Sequence, residues 1–322
     1  MTVIFTNLSM TEEDRQRRLD MIDYLLGDEI RAALADDDVT EVYANHDGRL
    51  RTNGICGRKK LSHSISLDAM NNILSVIADF AGRPLGGAIT SIAATLPTGE
   101  RFHGMIPPST RGPAFAIRRP PRRIFLLDEY VERGIMTRAQ VDAIRQAISD
   151  RRNIATIGAT SSGKTTLLNA ILSEPGYADE RLHIIQDVPE LRTVADDVEF
   201  MFTDPKTILE LLMDSMRLNP DRIVVGEVRG VECWDMLQTW NTGHEGSATT
   251  FHANDPASGL RRLQNLCAAG GKVIHPGELI ETMHCIVHIA RDPVLGREVK
   301  EVAKPISYDR ESGLYRCAPL VP

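Results

Sequence analysis

No stretch of the 322-residue sequence approaches the roughly 18 consecutive apolar residues that a membrane-spanning helix needs. Met1 is not followed by a cationic segment leading into an apolar core, so no secretory signal is expected. Cysteine is sparse: Cys56, Cys233, Cys267, Cys285 and Cys317 make an odd count without a C-x-x-C pair. That argues against a disulfide framework or a tetracysteine zinc site and fits a reducing compartment. An excess of base is missing too. Lys and Arg number 37 against 44 Asp and Glu, a formal net charge of −7, whereas proteins that live on long nucleic acids are normally basic. With 5% aromatics and two Trp, there is little material for a base-stacking groove. What remains, 42% hydrophobic and 25% charged residues, is ordinary for globular domains. The length suggests two of them, with the cytoplasm as the default location.

The first ten residues show no period. Thr11 then caps a helix with Glu12, Glu13 and Asp14 in its first turn, and Leu19, Ile22, Leu25, Leu26 and Ile30 form one apolar stripe. Asp36-Asp37-Asp38 breaks it. Val39 to Tyr43 reads as a strand, His46-Asp47-Gly48 as a hairpin turn, residues 67–81 as a second helix and Pro97-Thr98-Gly99 as another turn. This first region is a small α+β domain. Prolines cluster at 107–121. No acid occurs between Glu100 and Asp128, while Arg101, Arg111, Arg118, Arg119, Arg122 and Arg123 do. The stretch reads either as a solvated extended linker or as an arginine-bearing edge aimed at an anion. A domain boundary is placed near residue 122. Residues 1–122 hold 15 basic and 15 acidic side chains and the remainder 22 and 29, so the net acidity belongs to the second part.

Beyond the boundary, strands and helices alternate. A helix from Thr137 has a capping box with Gln140. It is followed by a strand at 154–157, a helix at 165–172, a strand at 182–185, a helix at 205–217, a strand at 223–225, a helix at 233–240 and a strand at 248–251. The fold class is therefore α/β, with a mostly parallel sheet covered on both faces.

Gly158-Ala159-Thr160-Ser161-Ser162-Gly163-Lys164-Thr165 matches G-x-x-x-x-G-K-[ST] between a strand and a helix, the setting of a phosphate-binding loop. Its backbone N–H groups and helix N-terminus suit phosphate oxygens. Lys164 is expected on the β- and γ-phosphates and the Thr165 hydroxyl on Mg²⁺. The N-K-x-D motif of a GTPase is absent. The strand 223–225 ends at Gly226-Glu227, where Glu227 can polarise the attacking water or hold Mg²⁺. Asp187 and Glu190 follow another strand end and suit Mg²⁺ or a catalytic water. His252 closes the Gly-, Thr- and His-dense segment 242–254 and can donate to the γ-phosphate.

GATSSGKTT (158–166), IIQDVPEL (184–191), NPDRIVVGEVRG (219–230) and TGHEGSATTFHAN (242–254) stand in this order. Together they resemble the Walker A, Asp-box, Walker B and His-box motifs of the secretion and traffic ATPase superfamily, which serves type II secretion, type IV pili and type IV secretion. Weaker matches lie at 39–50, 96–109 and 113–120. The short chain and the run WNTGHEGSATTFHAN are most similar to the TrbB-type ATPases of conjugal transfer. The resemblance implies a RecA-like P-loop ATPase domain over 123–322, with nucleotide lying between it and the first domain. It implies ATP and Mg²⁺ as cofactors and a hexameric cytoplasmic ring docked on an inner-membrane secretion channel. It also implies hinge motion on a linker near 119–128. Sequence-specific nucleic-acid binding is not expected.

Carried over by position, residues 158–166, including Thr166, bind the nucleotide. Lys164, Thr165, Glu227, Asp187, Glu190 and His252 take the phosphate, Mg²⁺ and hydrolytic roles. Arg101 and Arg118 fall where first-domain arginines offset transition-state charge. Two departures stand out. Ala159 and Ser161 replace usual glycines, and Gln186 replaces the usual Glu of the Asp box, leaving that residue's duty to Glu190 or Glu227. A nucleic-acid-stimulated motor on the same core, or an assembly factor that binds ATP without hydrolysing it, are the alternatives.

Overall fold

A computed structural model describes residues 11–36, 38–54, 57–96, 98–120, 123–203 and 205–321. Sequence features at residues 1–10, Asp37, Cys56, Pro97, Pro121 and Arg122 lie outside the described residues. The chain divides into two compact units, Met1–Arg122 and Arg123–Pro322.

In the first unit, α1 (Glu12–Ala35) starts at Thr11, whose hydroxyl accepts from the Asp14 N–H, and bends at Gly27. Strands β1 (Val39–Ala44), β2 (Arg49–Gly54) and β3 (Gly57–Ser64) precede α2 (Leu67–Phe80). Strands β4 (Ser91–Thr95), β5 (Arg101–Met105) and β6 (Ala114–Arg118) follow. Among the described residues they form one antiparallel sheet in the order β3-β2-β1-β6-β5-β4. Alternation sends Val42, Leu50, Phe102, Phe115 and Ile117 into a core with Ile30, Ile73 and Ile77 of the two helices. The proline-rich stretch is thus more than an extended connector. Ala114-Phe115-Ala116-Ile117-Arg118 is an alternating strand at the sheet's centre, and the flanking prolines hide that pattern.

The second unit opens with α3 (Leu127–Glu132) and α4 (Arg138–Ser149). Leu127 is fully buried in this unit's core, so the expected linker at 119–128 ends before it. The Thr137–Gln140 capping box forms as the sequence requires. Next come β7 (Ile154–Ile157), α5 (Lys164–Leu172), β8 (Leu182–Gln186), β9 (Val198–Phe202), α6 (Ile208–Arg217), β10 (Arg222–Val225), α7 (Cys233–Trp240), β11 (Ala248–Phe251), α8 (Pro256–Ala269), α9 (Pro276–Thr282), β12 (Cys285–Asp292), β13 (Gly296–Asp309) and β14 (Leu314–Pro319). Helix α6 begins three residues after Pro205, at the Thr207 cap, whose capping box with Glu210 sets the start.

Among the described residues the strands make a mixed sheet, β14-β13-β12-β7-β11-β10-β8-β9. Strands β12 through β9 in that order pair parallel, and β13 and β14 extend the edge antiparallel. Ile154, Ile184 and Val224 face α3, α4 and α5, whereas Ile157, Ile185 and Val225 face α6 to α9. Burial on both sides explains why β7, β8, β10 and β11 are mostly apolar without a period-two alternation. At the opposite end of β10, Arg222 is 2% exposed and binds Glu180 at 2.9 Å, with its guanidinium 4.7 Å from the Tyr177 ring centre.

Candidate active site

Strands β7, β11, β10 and β8 are neighbours running in one direction, so their C-terminal ends line a single edge. From that edge hang, in order, the loop 158–163, His252, Glu227 and Asp187. Residues up to 94 positions apart in sequence are brought together by strand order alone, at the place where ligands bind in such sheets.

The loop is shaped by close approach. A Cβ on Gly158, where φ is +154°, would stand 2.1 Å from the Ile289 carbonyl oxygen and 2.6 Å from Ser162 Oγ. Gly163 caps α5 at φ +106°. Ser161 holds φ +60°, the left-handed region that glycine occupies without strain. This is the position where the resemblance expects glycine, so the backbone keeps that conformation although the residue has changed. Ser162 is fully buried, and its Oγ has no hydrogen-bond partner among the described residues. An unpaired buried hydroxyl beside a cradle of backbone N–H groups fits a ligand rich in acceptor oxygens.

Lys164 is 7% exposed. Its Nζ donates to the Ala159 carbonyl at 3.0 Å and lies 3.2 Å from His252 Nδ1. With lysine donating there, the imidazole proton belongs on Nε2, which stands 3.0 Å from Glu227 Oε1, close but not aligned as a hydrogen bond. Arg229 Nη2 donates to Glu227 Oε2, and Arg229 Nη1 reaches Asp187 Oδ2 at 3.3 Å. Thr203 Oγ1 donates to Asp187 Oδ1 at 2.9 Å. One line of contacts thus runs Lys164, His252, Glu227, Arg229, Asp187, Thr203. Burial pushes the lysine ammonium below its ordinary pKa, against the pull of Glu227. Burial would raise the Glu227 carboxyl, but the Arg229 hydrogen bond and the charges of Arg229, His252 and Lys164 hold it below its ordinary value. Glu227 is therefore a carboxylate at neutral pH, as a water-polarising base must be.

The backbone around these groups is bolted down. Gln186 Oε1 accepts from the Glu190 and Leu191 N–H groups at 3.0 and 2.8 Å. The residue that departs from the expected Glu therefore braces the Asp187 loop. Asn169 of α5 holds the same loop, donating to the Glu190 carbonyl and accepting from the Arg192 N–H, both at 2.9 Å. Thr250 Oγ1 donates to the Gly226 carbonyl at 2.8 Å, and the Val228 N–H donates to the Thr250 carbonyl at 2.9 Å.

Among the other expected residues, Ala159 and Thr160 are exposed on the loop, and Thr165 and Thr166 are half-buried in the first turn of α5. Glu190 lies within electrostatic range of Arg229. Arg101 and Arg118 belong to the first unit, where they are cross-strand partners on β5 and β6. The start of the segment 242–254 is not at the site. His244 sits at the other end of β11, 3.1 Å from the Pro220 carbonyl, so only the end carrying His252 reaches the cluster. Arg229 and Thr203 were missed. Arg229 was legible as the second residue after Glu227 in an extended run, which puts both on one side while Val228 turns inward. Thr203 directly follows β9, a strand whose half-buried sequence gave no clear alternation.

Residues 82–319 match the family described as "Type II/IV secretion system protein". The chain belongs to that family. A secretion-family relative from Rhizobium radiobacter, "Conjugal transfer protein TrbB", is 40% identical over 86% of this chain and 87% of its own. "Type IV secretion system protein PtlH" of Bordetella pertussis is 30% identical over 73% and 78%. Among solved structures, the Legionella pneumophila ATPase DotB matches with TM-score 0.61 at 18% identity, covering 94% of this chain and 83% of that one. The pilus retraction motor PilT, with bound ADP, matches with TM-score 0.60 at 15% identity over 92% and 82%. At these identities the likeness is one of fold: an α/β sheet unit preceded by a sheet-bearing N-terminal one. Among the described residues of this secretion-family member, no helix is long and apolar enough to cross a membrane.

Proposed function

We propose that this protein is a Mg²⁺-dependent ATPase with a RecA-like core, powering a conjugal-transfer or other type IV secretion apparatus. The observation that carries the reading is the line Lys164–His252–Glu227, which joins the phosphate loop to a carboxylate through one imidazole. The relatives' printed roles in conjugal transfer and type IV secretion supply the apparatus.

In this reading the N–H groups of 158–166 and the Lys164 ammonium bind the β- and γ-phosphates, with Ser162 Oγ offering a further donor. The Thr165 hydroxyl, and Glu227 through a water, would hold Mg²⁺, which would offset phosphate charge when bound. Glu227 accepts the proton of the attacking water, Asp187 and Glu190 order waters beside it, and His252 reports the γ-phosphate. Arg101 and Arg118 offset transition-state charge from the first domain, and the connection ahead of α3 is the hinge on which that domain moves. The protein works as a cytoplasmic homohexameric ring, attached peripherally to an inner-membrane channel.

Lys164→Ala should abolish ATP binding and turnover, while Glu227→Gln should bind ATP and lose turnover by on the order of 10²-fold or more. Normal hydrolysis by Glu227→Gln refutes the assignment. A wild-type ring that binds ATP and never hydrolyses it supports the assembly-factor alternative, and strong stimulation by single-stranded DNA at physiological salt supports a nucleic-acid motor.

A further inference from the structure

Arg229 joins the carboxylates of two motifs. Its side chain is 55% exposed and its partners Glu227 and Asp187 are 23% and 42% exposed. A pair that open to water contributes little to stability, so its consequence is geometric. The backbone at 226–230 is fixed independently of it. Gly226 N–H donates to the Ile185 carbonyl and Val228 N–H to the Thr250 carbonyl, and Glu232 Oε1 accepts from the Arg229 and Gly230 N–H groups at 2.8 Å each. The guanidinium therefore leaves a rigid base, on the same side of the chain as Glu227, and spans to the next strand's loop.

The charges around it make that span necessary. Glu227 comes off β10, Asp187 and Glu190 off β8, Lys164 off α5 and His252 off β11. Glu227 and Asp187 come off neighbouring strand ends and share Arg229, while Lys164 is already engaged with Ala159 and His252. Without Arg229, repulsion would turn Glu227 away from the His252 edge. A planar fork reaches two carboxylates at once, which an ammonium cannot do with the same geometry.

We infer that Arg229 is a positioning residue for hydrolysis, setting the direction of Glu227 by tethering it to Asp187. The inference rests on the ATPase reading above. Arg229 acts through Glu227, so its loss should show in turnover and not in nucleotide binding.

The test compares the full-length wild type with Arg229→Gln, Arg229→Lys, Glu227→Gln and the double variant Glu227→Gln/Arg229→Gln. It measures steady-state kcat and KM, residual single-turnover rates, binding of fluorescent ADP and the thermal midpoint. Arg229→Gln is expected to lower kcat by on the order of 10²-fold, with ADP affinity within about threefold of wild type. Arg229→Lys should recover part of the loss. The double variant should be no slower than Glu227→Gln alone, because a residue acting through Glu227 has nothing left to lose. The inference is overturned if Arg229→Gln keeps kcat within about twofold, if it loses ADP binding, or if its effect multiplies that of Glu227→Gln. A wild type that binds ATP but gives no turnover above Lys164→Ala overturns the ATPase reading itself. A turning-over wild type with an unaffected Arg229→Gln overturns only this inference.

Discussion

Ser161 offers a quantitative probe of the phosphate loop. Its φ of +60° costs a non-glycine residue about 1–2 kcal/mol. The side chain is exposed and makes no hydrogen bond or ion pair among the described residues, so Ser161→Gly removes strain and deletes no contact. Glycine's greater freedom in the unfolded chain takes back about 0.4–1 kcal/mol. The net lies between zero and a gain of about 1.6 kcal/mol in the second unit. For a domain of this size, each kcal/mol gained raises the unfolding midpoint by about 2–4 °C. Calorimetry or a thermal shift assay on full-length wild type and Ser161→Gly reads this directly, with ADP titration as companion. Because the loop already holds the backbone that glycine prefers, ADP affinity should change by less than about threefold, well under 1 kcal/mol. A lowered midpoint, or a tenfold loss of ADP binding, refutes the reasoning. Either would mean that the serine side chain makes an interaction outweighing the strain.

Gly158→Ala should behave oppositely: its Cβ would meet the Ile289 carbonyl at 2.1 Å, so nucleotide binding is expected to fail while far-UV circular dichroism stays near wild type. ADP affinity within tenfold of wild type would show that β12 gives way at no cost. Glu180→Gln should destabilise the second unit at pH 7 by about 3 kcal/mol, because Arg222 stays buried with its charge partner gone. Burial would raise the Glu180 carboxyl, but Arg222 and Arg151 hold it below its ordinary value. A lowered folded pKa means stability that is present above the unfolded value of about 4.3 and lost as pH falls through the folded one. Urea unfolding curves of wild type and Glu180→Gln should therefore converge only as pH falls through that lowered folded value; parallel curves at every pH would exclude the ion pair as the cause.

Much of the second unit was legible because most of its parallel strands are short, largely apolar and alternate with helices. Ile154–Ile157, Cys233–Trp240 and Ala248–Phe251 lie where periodicity and flanking turns put them. The G-x-x-x-x-G-K-[ST] loop between β7 and α5 was legible from residue spacing. Strand order was not: nothing in Glu227 or His252 says that β11 lies between β7 and β10, and that order is what sets the imidazole between lysine and carboxylate. The antiparallel end of the sheet escaped because β13 is long, amphipathic and interrupted by Pro305. β6 escaped because prolines flank a strand of only five residues. The bracing side chains, Gln186, Asn169 and Thr250, are invisible in sequence since their partners are backbone atoms of distant segments.

Asn169 carries a mechanical consequence. It stands on α5, the helix whose first turn carries Lys164 and Thr165, and both ends of its amide grip the backbone of residues 190–192. The grip is two-handed, one donor and one acceptor on the same short strap, so α5 and the backbone behind Asp187 are held in register at two points. If α5 carries the nucleotide as proposed, a shift of that helix on binding would pull on the strap without passing through Glu227, His252 or Arg229.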